Sequence, residues 1–171
     1  MPLMRIGNVA TRPGFWIMQN DLLEVCKHLQ TQGVRYILVG GHAVRLNGIL
    51  RATEDVDILV PFDRANGERV KAGLSFLAAV AEIEPDWFTR TANEPDIQNI
   101  RVADRIVVDI LFAVNGETFE TLQPHVRMLT LDGVVIPVLD IDGLLKAKSD
   151  YREKDVLDKA ALRRIKAGNE P

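Results

Sequence analysis

The chain repeats its apolar positions in two different periods, and these periods predict a mixture of helices and strands. Apolar residues recur every three or four positions between Asp21 and Gln32, which predicts a helix with Asn20 or Asp21 as its cap and Gly33 as its end. Short apolar runs with β-branched residues predict strands instead. These predicted strands cover residues 35–39, 55–60, 97–103 and 105–112.

Turn residues between the apolar runs divide the rest of the chain. Asp63 is a suitable cap for a helix that would run to about Val80. Residues 103–104 predict one hairpin turn, and the Asp-Gly pair at 132–133 predicts another. A helix or helix pair is expected over about 141–167. Because strands and helices alternate early and hairpins follow, we expect an α+β fold with a mixed β-sheet and helices packed against it.

Length and charge limit the kind of protein this can be. A chain of 171 residues fits one domain, with residues 1–15 as an extended N-terminal arm and 16–171 as the folded unit. Within that unit we expect a core at about 34–112 and a C-terminal helical segment at about 140–167. The formal net charge of −3 argues against a broadly basic nucleic-acid-binding surface. No apolar run approaches the roughly 18 residues that cross a bilayer, so we expect a cytoplasmic protein with no membrane partner.

A glycine pair after a short apolar strand is the first candidate for chemistry. Residues 36–39 are apolar, and Gly40 and Gly41 follow them directly. Glycines let the backbone turn tightly and approach a ligand, and a helix that begins there presents free N–H groups and a partial positive charge. The pair therefore predicts a place where phosphates could bind.

Two aspartates thirteen residues beyond the glycine pair form the second candidate. In the run 55–60, the period of two places Asp55 and Asp57 on one strand face and the intervening apolar residues on the other. Neighbouring carboxylates repel one another unless a cation or a proton relieves them, and Mg²⁺ commonly binds one or two carboxylates together with substrate phosphates. The alternative is an edge strand whose two acids face water.

A third aspartate interrupts an otherwise apolar strand. Asp109 lies in the middle of 105–112, where an ionised group needs a partner. If that strand lies beside 55–60, the three carboxylates could hold two ions for phosphoryl transfer. The alternatives are an aspartate paired with a buried arginine and an aspartate that caps a loop.

The glycine pair, the Asp-x-Asp pair and the later aspartate together resemble the signature of the DNA polymerase β-like nucleotidyltransferase superfamily. The resemblance implies a nucleotidyltransferase-type fold, with Gly40 and Gly41 at the phosphates and Asp55, Asp57 and Asp109 as ligands of Mg²⁺ or Mn²⁺. It also implies that Asp109 assists deprotonation of the acceptor. Many members carry serine at the position of Gly41, so that hydroxyl is absent here.

Residues close to the acid pair extend this resemblance. The run 51–54 resembles the family segment in which arginine or threonine precedes the metal ligands, which implies nucleotide contacts for Arg51 and Thr53. An arginine in a surface loop is the simpler alternative for Arg51. His42 is either a general base or a helix-start residue that faces solvent.

The C-terminal segment resembles the closing helix of small AbiEii-type nucleotidyltransferases. The resemblance implies that Lys148 or Lys154 neutralises triphosphate charge, while Asp155 and Asp158 position neighbouring groups or the acceptor. On one continuous helix, Lys148 and Arg152 would lie beneath these acids at spacings of three or four. The alternative is a solvated helix with many ion pairs. The resemblances cover about residues 34–60, 104–112 and 140–162.

These patterns lead to the hypothesis of a metal-dependent nucleotidyltransferase that uses a nucleoside triphosphate. The acceptor could be a tRNA end, a protein side chain, or a small molecule such as an aminoglycoside or lincosamide. Two alternatives stay open: an inactive nucleotide-binding or regulatory module, and the toxin component of a toxin-antitoxin pair with an antitoxin partner.

Overall fold

The structure is a computed structural model that describes residues 13–90 and 99–168, with side chains from residue 20 onward. Its helices are α1 (Pro13–Thr31), α2 (Gly40–Leu46), α3 (Arg64–Gly73), α4 (Phe119–Leu122), α5 (Ile141–Ala147) and α6 (Glu153–Gly168). Its strands are β1 (Ile37–Val39), β2 (Val56–Leu59), β3 (Asn99–Ala103), β4 (Val107–Leu111), β5 (Ala113–Val114), β6 (Glu117–Thr118), β7 (Val126–Leu131) and β8 (Val134–Leu139). Single 3₁₀ turns occur at Ala78–Glu82, Pro85–Phe88 and Gln123–His125.

Six of these strands form one mixed sheet in the order β3-β4-β2-β1-β8-β7. The pairs β2/β4 and β1/β8 are parallel, whereas β1/β2, β3/β4 and β7/β8 are antiparallel. Strands β5 and β6 form a separate small hairpin. The expected α+β fold with a mixed sheet is therefore confirmed.

The hydrophobic core lies between this sheet and the helices packed on it. Strands β1, β2 and β4 are in the middle of the sheet, and all three residues of β1 are buried. Helix α1 supplies Leu22, Val25, Cys26 and Leu29 to the same core. No helix among the described residues is long and apolar enough to cross a bilayer.

Two predicted helix boundaries differ from the observed ones. Helix α1 begins at Pro13, earlier than the expected cap at Asn20 or Asp21, and proline suits a first helical position because its missing N–H needs no partner there. Residues 1–12 of the expected arm at 1–15 lie outside the described residues. Helix α3 has the expected cap, since the Asp63 side chain accepts the Asn66 N–H, but it ends at Gly73. Gly73 packs closely against α1, where an added Cβ would lie 3.3 Å from Leu29.

The C-terminal segment is a helix pair with a sharp break. The backbone leaves helix α5 at Lys148 in an extended conformation, and α6 begins five residues later at Glu153. The expectation that Lys148 and Arg152 lie on one helix face with Asp155 and Asp158 is therefore wrong for the first two residues. The physical reason is that Asp155 accepts hydrogen bonds from the backbone N–H and hydroxyl of Ser149, which holds the break in place.

Candidate active site

Two of the three predicted acids lie side by side in the middle of the sheet. Asp57 in β2 and Asp109 in β4 occupy paired positions of the two parallel strands. Asp55 immediately precedes β2, two residues from Asp57. The structure thus brings Asp55, Asp57 and Asp109 together, and we call them the carboxylate cluster.

The carboxylate cluster has an unfavourable electrostatic environment for its own charge. Burial and the charges of Asp109 and Asp55 together raise the pKa of Asp57 to about 7, against the opposing effect of the cations Lys148 and Arg51. Burial also raises the pKa of Asp109, although Arg101 opposes that shift. Carboxylates in this state favour any cation that can reach them.

Arg101 is the cation that contacts the carboxylate cluster from the neighbouring strand. One guanidinium nitrogen of Arg101 lies 2.8 Å from Asp109 Oδ2, and the other lies 3.0 Å from Asp55 Oδ2. Arg101 therefore occupies space where a metal ion would contact these two acids. The alternative predicted for Asp109, pairing with a buried arginine, holds in part. Asp109 is paired with Arg101, but the Arg101 side chain is 53% exposed.

The predicted hairpin turn at 103–104 would have placed Arg101 opposite Ile106. The observed register instead pairs Arg101 with Asp109 and Ala103 with Val107, so the turn occupies 104–106. Asp104 holds this turn in place, because its carboxylate accepts the N–H of the neighbouring Arg105 at 2.7 Å and the N–H of the distant Ala79 at 3.1 Å. The sequence signal that could have placed Arg101 on the exposed face is the period of two in 99–103, where Ile100 and Val102 are the apolar, buried positions on either side of Arg101.

The residues described by the structure contain no group of three or more His, Cys, Asp or Glu side chains already arranged around an ion position. The donor set nevertheless suits Mg²⁺, because the ion prefers oxygen ligands and usually takes only one or two carboxylates from the protein. The raised pKa values of Asp57 and Asp109 mean that a negative charge on these carboxylates is unfavourable, and a bound divalent cation would offset that cost.

The glycine pair is explained by close contacts with the acid strand and the segment before it. Gly40 has φ +68, and a Cβ on it would overlap the Asp57 carboxylate. A Cβ on Gly41 would lie 2.5 Å from Thr53 Oγ1. Both positions exclude larger residues, and their backbone lines the same cavity as Asp57.

His42 does not face solvent. Its side chain is buried, at 2% exposure, and Nε2 has no hydrogen-bond partner among the described residues. Burial and, to a smaller extent, the charge of Arg45 lower the pKa of His42 to about 4, against the opposing charge of Asp55. His42 is therefore at the start of a helix, as one alternative expected, but it lies inside the protein because α2 packs onto the sheet at this point. It does not line the cavity that contains Asp57 and Asp109.

A second charged group, which we call the C-terminal cluster, faces the carboxylate cluster across the cavity. Its members are Arg51, Lys148, Asp155 and Asp158. Asp158 in α6 accepts a hydrogen bond from Arg51 and forms an ion pair with Lys148, whose Nζ lies 2.8 Å from Asp158 Oδ2. Lys148 Nζ also lies 3.6 Å from Asp155. Arg51 is thus paired with a residue of α6, and the simpler alternative of an arginine in a surface loop does not hold.

The two clusters line a cavity of about 610 Å³. Of the predicted site residues, the cavity is lined by Gly40, Gly41, Arg51, Asp57, Asp109, Lys148, Arg152, Lys154 and Asp155. An adjoining cavity of about 340 Å³ brings in Thr53 and Asp55. The large cavity is also lined by residues that the sequence did not single out: Val114, Asn115, Leu144, Ala147 and Tyr151.

Among solved structures, the chain is similar to a protein that it matches over nearly its whole length. That structure is TM1012 from Thermotoga maritima, described as a candidate nucleotidyltransferase, with a TM-score of 0.55 and 18% sequence identity. The match covers 93% of this chain and 96% of the other. No family model and no curated protein matches the sequence. The likeness establishes a nucleotidyltransferase-type fold.

Proposed function

We propose that this protein is a metal-dependent nucleotidyltransferase that transfers a nucleoside monophosphate from a nucleoside triphosphate to an acceptor. The observation that carries the proposal is the pairing of Asp57 with Asp109 in one cavity, with raised pKa values and with cationic residues opposite them. Such a cavity has separate places for a divalent cation and for phosphate oxygens. The fold likeness to TM1012 supports the same class.

Asp55, Asp57 and Asp109 are the residues that would hold Mg²⁺ or Mn²⁺. A bound divalent cation supplies charge neutralisation for the attacking oxygen and for the leaving phosphate oxygen. Arg101 would compete with a metal ion for Asp55 and Asp109, since its guanidinium donates hydrogen bonds to Oδ2 of Asp55 and to both carboxylate oxygens of Asp109.

The opposite wall of the cavity would bind the triphosphate. The first N–H groups of a helix have no intrahelical partner, so those of Gly40 and Gly41 at the start of α2 would donate to phosphate oxygens. Arg51 and Lys148 add positive charge, and Asp158 fixes their positions. Lys154 also lines this region. The Thr53 hydroxyl lies beside Gly41 and would donate to a phosphate oxygen. Gly41 itself has no room for a side chain at this contact.

The chemical step joins the acceptor to the α-phosphorus. The acceptor hydroxyl oxygen forms a bond to the α-phosphorus while the bond from that phosphorus to the pyrophosphate oxygen breaks. Asp109 is positioned to accept the hydroxyl proton, because burial raises its pKa above the usual range of an aspartate. Pyrophosphate leaves past the cationic wall.

The resemblance of the C-terminal segment to AbiEii-type proteins guides the choice of acceptor. A tRNA end is the first acceptor to examine, followed by a protein side chain and a small molecule. By the same resemblance, we propose a cytoplasmic toxin-like enzyme with an antitoxin partner.

A second candidate function is nucleotide binding without transfer. The ion pairs of Arg101 with Asp55 and Asp109 favour it, because they neutralise two of the three acids without a metal ion. In that case the chain would bind a nucleotide through its cationic wall and act as a regulatory module.

A transfer assay with labelled substrates tests the proposal. The purified protein is incubated with each α-labelled nucleoside triphosphate, Mg²⁺, and either pooled tRNA or total lysate. We expect label to be transferred by the wild type and by Asp132→Asn, a control in an exposed hairpin turn. We expect no transfer by the double variant Asp55→Asn/Asp57→Asn.

Label transfer that survives in the double variant would overturn the assigned mechanism. Binding of the nucleotide without transfer to any acceptor would favour the regulatory module instead.

A further inference from the structure

One part of the large cavity combines apolar side chains with a side-chain amide. Val114, Leu144 and Ala147 line this part of the cavity, and Tyr151, which also lines the cavity, has 81% of its surface exposed. Apolar walls beside an exposed aromatic ring suit a planar, partly apolar group. If the triphosphate lies against Gly40 and Arg51 as proposed above, the nucleobase is the part of the substrate that would contact these side chains.

Asn115 is the amide, and its backbone has an unusual conformation. Its φ of +48 lies in the left-handed region, which asparagine adopts more readily than most residues. Asn115 lies in the turn of the β5-β6 hairpin and lines the cavity immediately beyond Val114. The turn thus brings the polar side chain of Asn115 into the same cavity as the apolar side chains of Val114 and Leu144.

The orientation of the Asn115 amide is determined by two backbone carbonyls. Its Nδ2 donates to the carbonyl oxygen of Lys146 at 2.9 Å and to that of Lys148 at 3.1 Å. Carbonyl oxygens only accept hydrogen bonds, so the amide nitrogen must face them and a flipped amide would lose both bonds. Both hydrogens of the amide nitrogen are therefore used.

The amide oxygen of Asn115 is the polar atom that is left for a ligand. It accepts no hydrogen bond from any residue within 13–90 or 99–168. An oxygen that only accepts hydrogen bonds favours a donor opposite it and disfavours another carbonyl oxygen.

We propose that Asn115 selects the nucleobase of the substrate, favouring adenine or cytosine, whose amino group stands at C6 of the purine or C4 of the pyrimidine, over guanine and uracil. Adenine and cytosine carry an amino group where guanine and uracil carry a carbonyl oxygen. The oxygen of Asn115 would accept from the amino group and repel the carbonyl. This inference rests on the proposed function, since it requires the triphosphate to occupy the cationic wall.

Binding measurements with the four nucleoside triphosphates test the proposal. The full chain is titrated calorimetrically with ATP, CTP, GTP or UTP in the presence of Mg²⁺ and without an acceptor. We expect ATP and CTP to bind about tenfold more tightly than GTP and UTP, which corresponds to one hydrogen bond gained against one repulsive contact.

Two variants separate base selection from loss of structure. Asn115→Gly suits the positive φ and removes the amide, so we expect the four affinities to become equal. Asn47→Ala is the matched control, because the Asn47 amide also donates to two carbonyls, those of Ala43 and Leu139, both at 2.8 Å, but Asn47 does not line the cavity. We expect this control to keep the preference of the wild type.

Equal binding of all four nucleotides by the wild type, a preference for GTP or UTP, or an unchanged preference in Asn115→Gly would overturn the proposal for Asn115. The proposed function would survive these results if binding still required Mg²⁺ and Asp57. Failure of every nucleotide to bind would overturn both proposals.

Discussion

The carboxylate cluster and the C-terminal cluster face each other across one cavity, yet they differ in how their charges are balanced. In the C-terminal cluster, Asp158 is paired with two cations, and Ser149 hydrogen bonds lower the pKa of Asp155 against the effect of its burial. In the carboxylate cluster, burial and mutual repulsion raise the pKa of Asp57 to about 7. Arg101 alone reaches across from β3, and it contacts Asp55 and Asp109.

This difference separates a structural arrangement from a binding arrangement. Charges that are paired and hydrogen-bonded hold a protein together and resist change. Carboxylates that repel one another are common at functional sites, where a bound ligand offsets their charge, and shifted pKa values are therefore frequent there. The C-terminal cluster therefore positions cations, and the carboxylate cluster is prepared to receive one.

The largest expected effect is on the C-terminal cluster. Asp158→Ala leaves Arg51 and Lys148 close together and without their shared partner, so we expect the free energy of unfolding to fall by about 3–5 kcal/mol. Urea denaturation measures this change. The matched control is Asp142→Ala, which breaks the exposed ion pair with Lys166 and should cost far less. Equal losses in the two variants would show that Asp158 is not the structural centre of its cluster.

The second effect concerns the close approach of Gly40 to Asp57. Gly40→Ala adds a Cβ that overlaps the Asp57 carboxylate at a residue with positive φ, so we expect a loss of about 2–4 kcal/mol in stability together with loss of transfer. Gly33→Ala is the control, because Gly33 has a similar φ of +62 and nothing lies within 4 Å of an added Cβ. If both variants lose the same stability, contact with Asp57 contributes nothing.

The third effect concerns the raised pKa of Asp57. Below about pH 4 the side chain is protonated in both the folded and unfolded protein, but above that pH the unfolded chain releases its proton first, so stability is lost as pH rises toward about 7. Asp57→Asn removes this loss. We expect the metal-free variant to be more stable than the wild type by about 2–3 kcal/mol at about pH 8 and no more stable at about pH 4.

Thermal or urea unfolding across this pH range measures the difference, with Asp132→Asn as the control that should follow the wild type. Stability curves of Asp57→Asn and wild type that run parallel at all pH values would contradict the raised pKa.

The smallest expected effect concerns Arg101. Arg101→Gln removes the guanidinium that competes for Asp55 and Asp109, so we expect Mg²⁺ to bind the nucleotide-free protein several-fold more tightly. Isothermal titration with Mg²⁺ measures this affinity directly. Arg105→Gln, which breaks an arginine pair with Glu24 elsewhere, serves as the control. Weaker Mg²⁺ binding in Arg101→Gln would mean that Arg101 helps to build the metal site.

Much of the sheet could be predicted because its strands have strong local signals. The apolar run before Gly40 and the Asp-Gly turn at 132–133 each specify an element without help from the rest of the chain, and the structure contains both. Both residues of that turn have positive φ, as the sequence pair predicts. The prediction was wrong where a distant contact determines the boundary, as at Gly73 and at the 104–106 turn.

The candidate site divides in the same way. The spacing of Asp55 and Asp57 was visible in the sequence, but the alignment of Asp57 with Asp109 depends on two strands more than fifty residues apart pairing in parallel. The roles of Arg51 and Asp158 likewise depend on α6 packing back against the loop before β2. No local pattern specifies such a contact.

The local sequence is sufficient to identify the chemistry that is available: a glycine pair at the end of a strand, two acids on one strand face, and one acid inside an apolar strand. The tertiary structure sets which of these groups meet, because strand register and helix packing bring together residues that are far apart in the chain. It placed Arg101 against the acids, buried His42 away from the cavity and moved Lys148 out of the helix. These outcomes depend on burial and on charge pairing between elements, which are properties of the folded protein and not of any single segment.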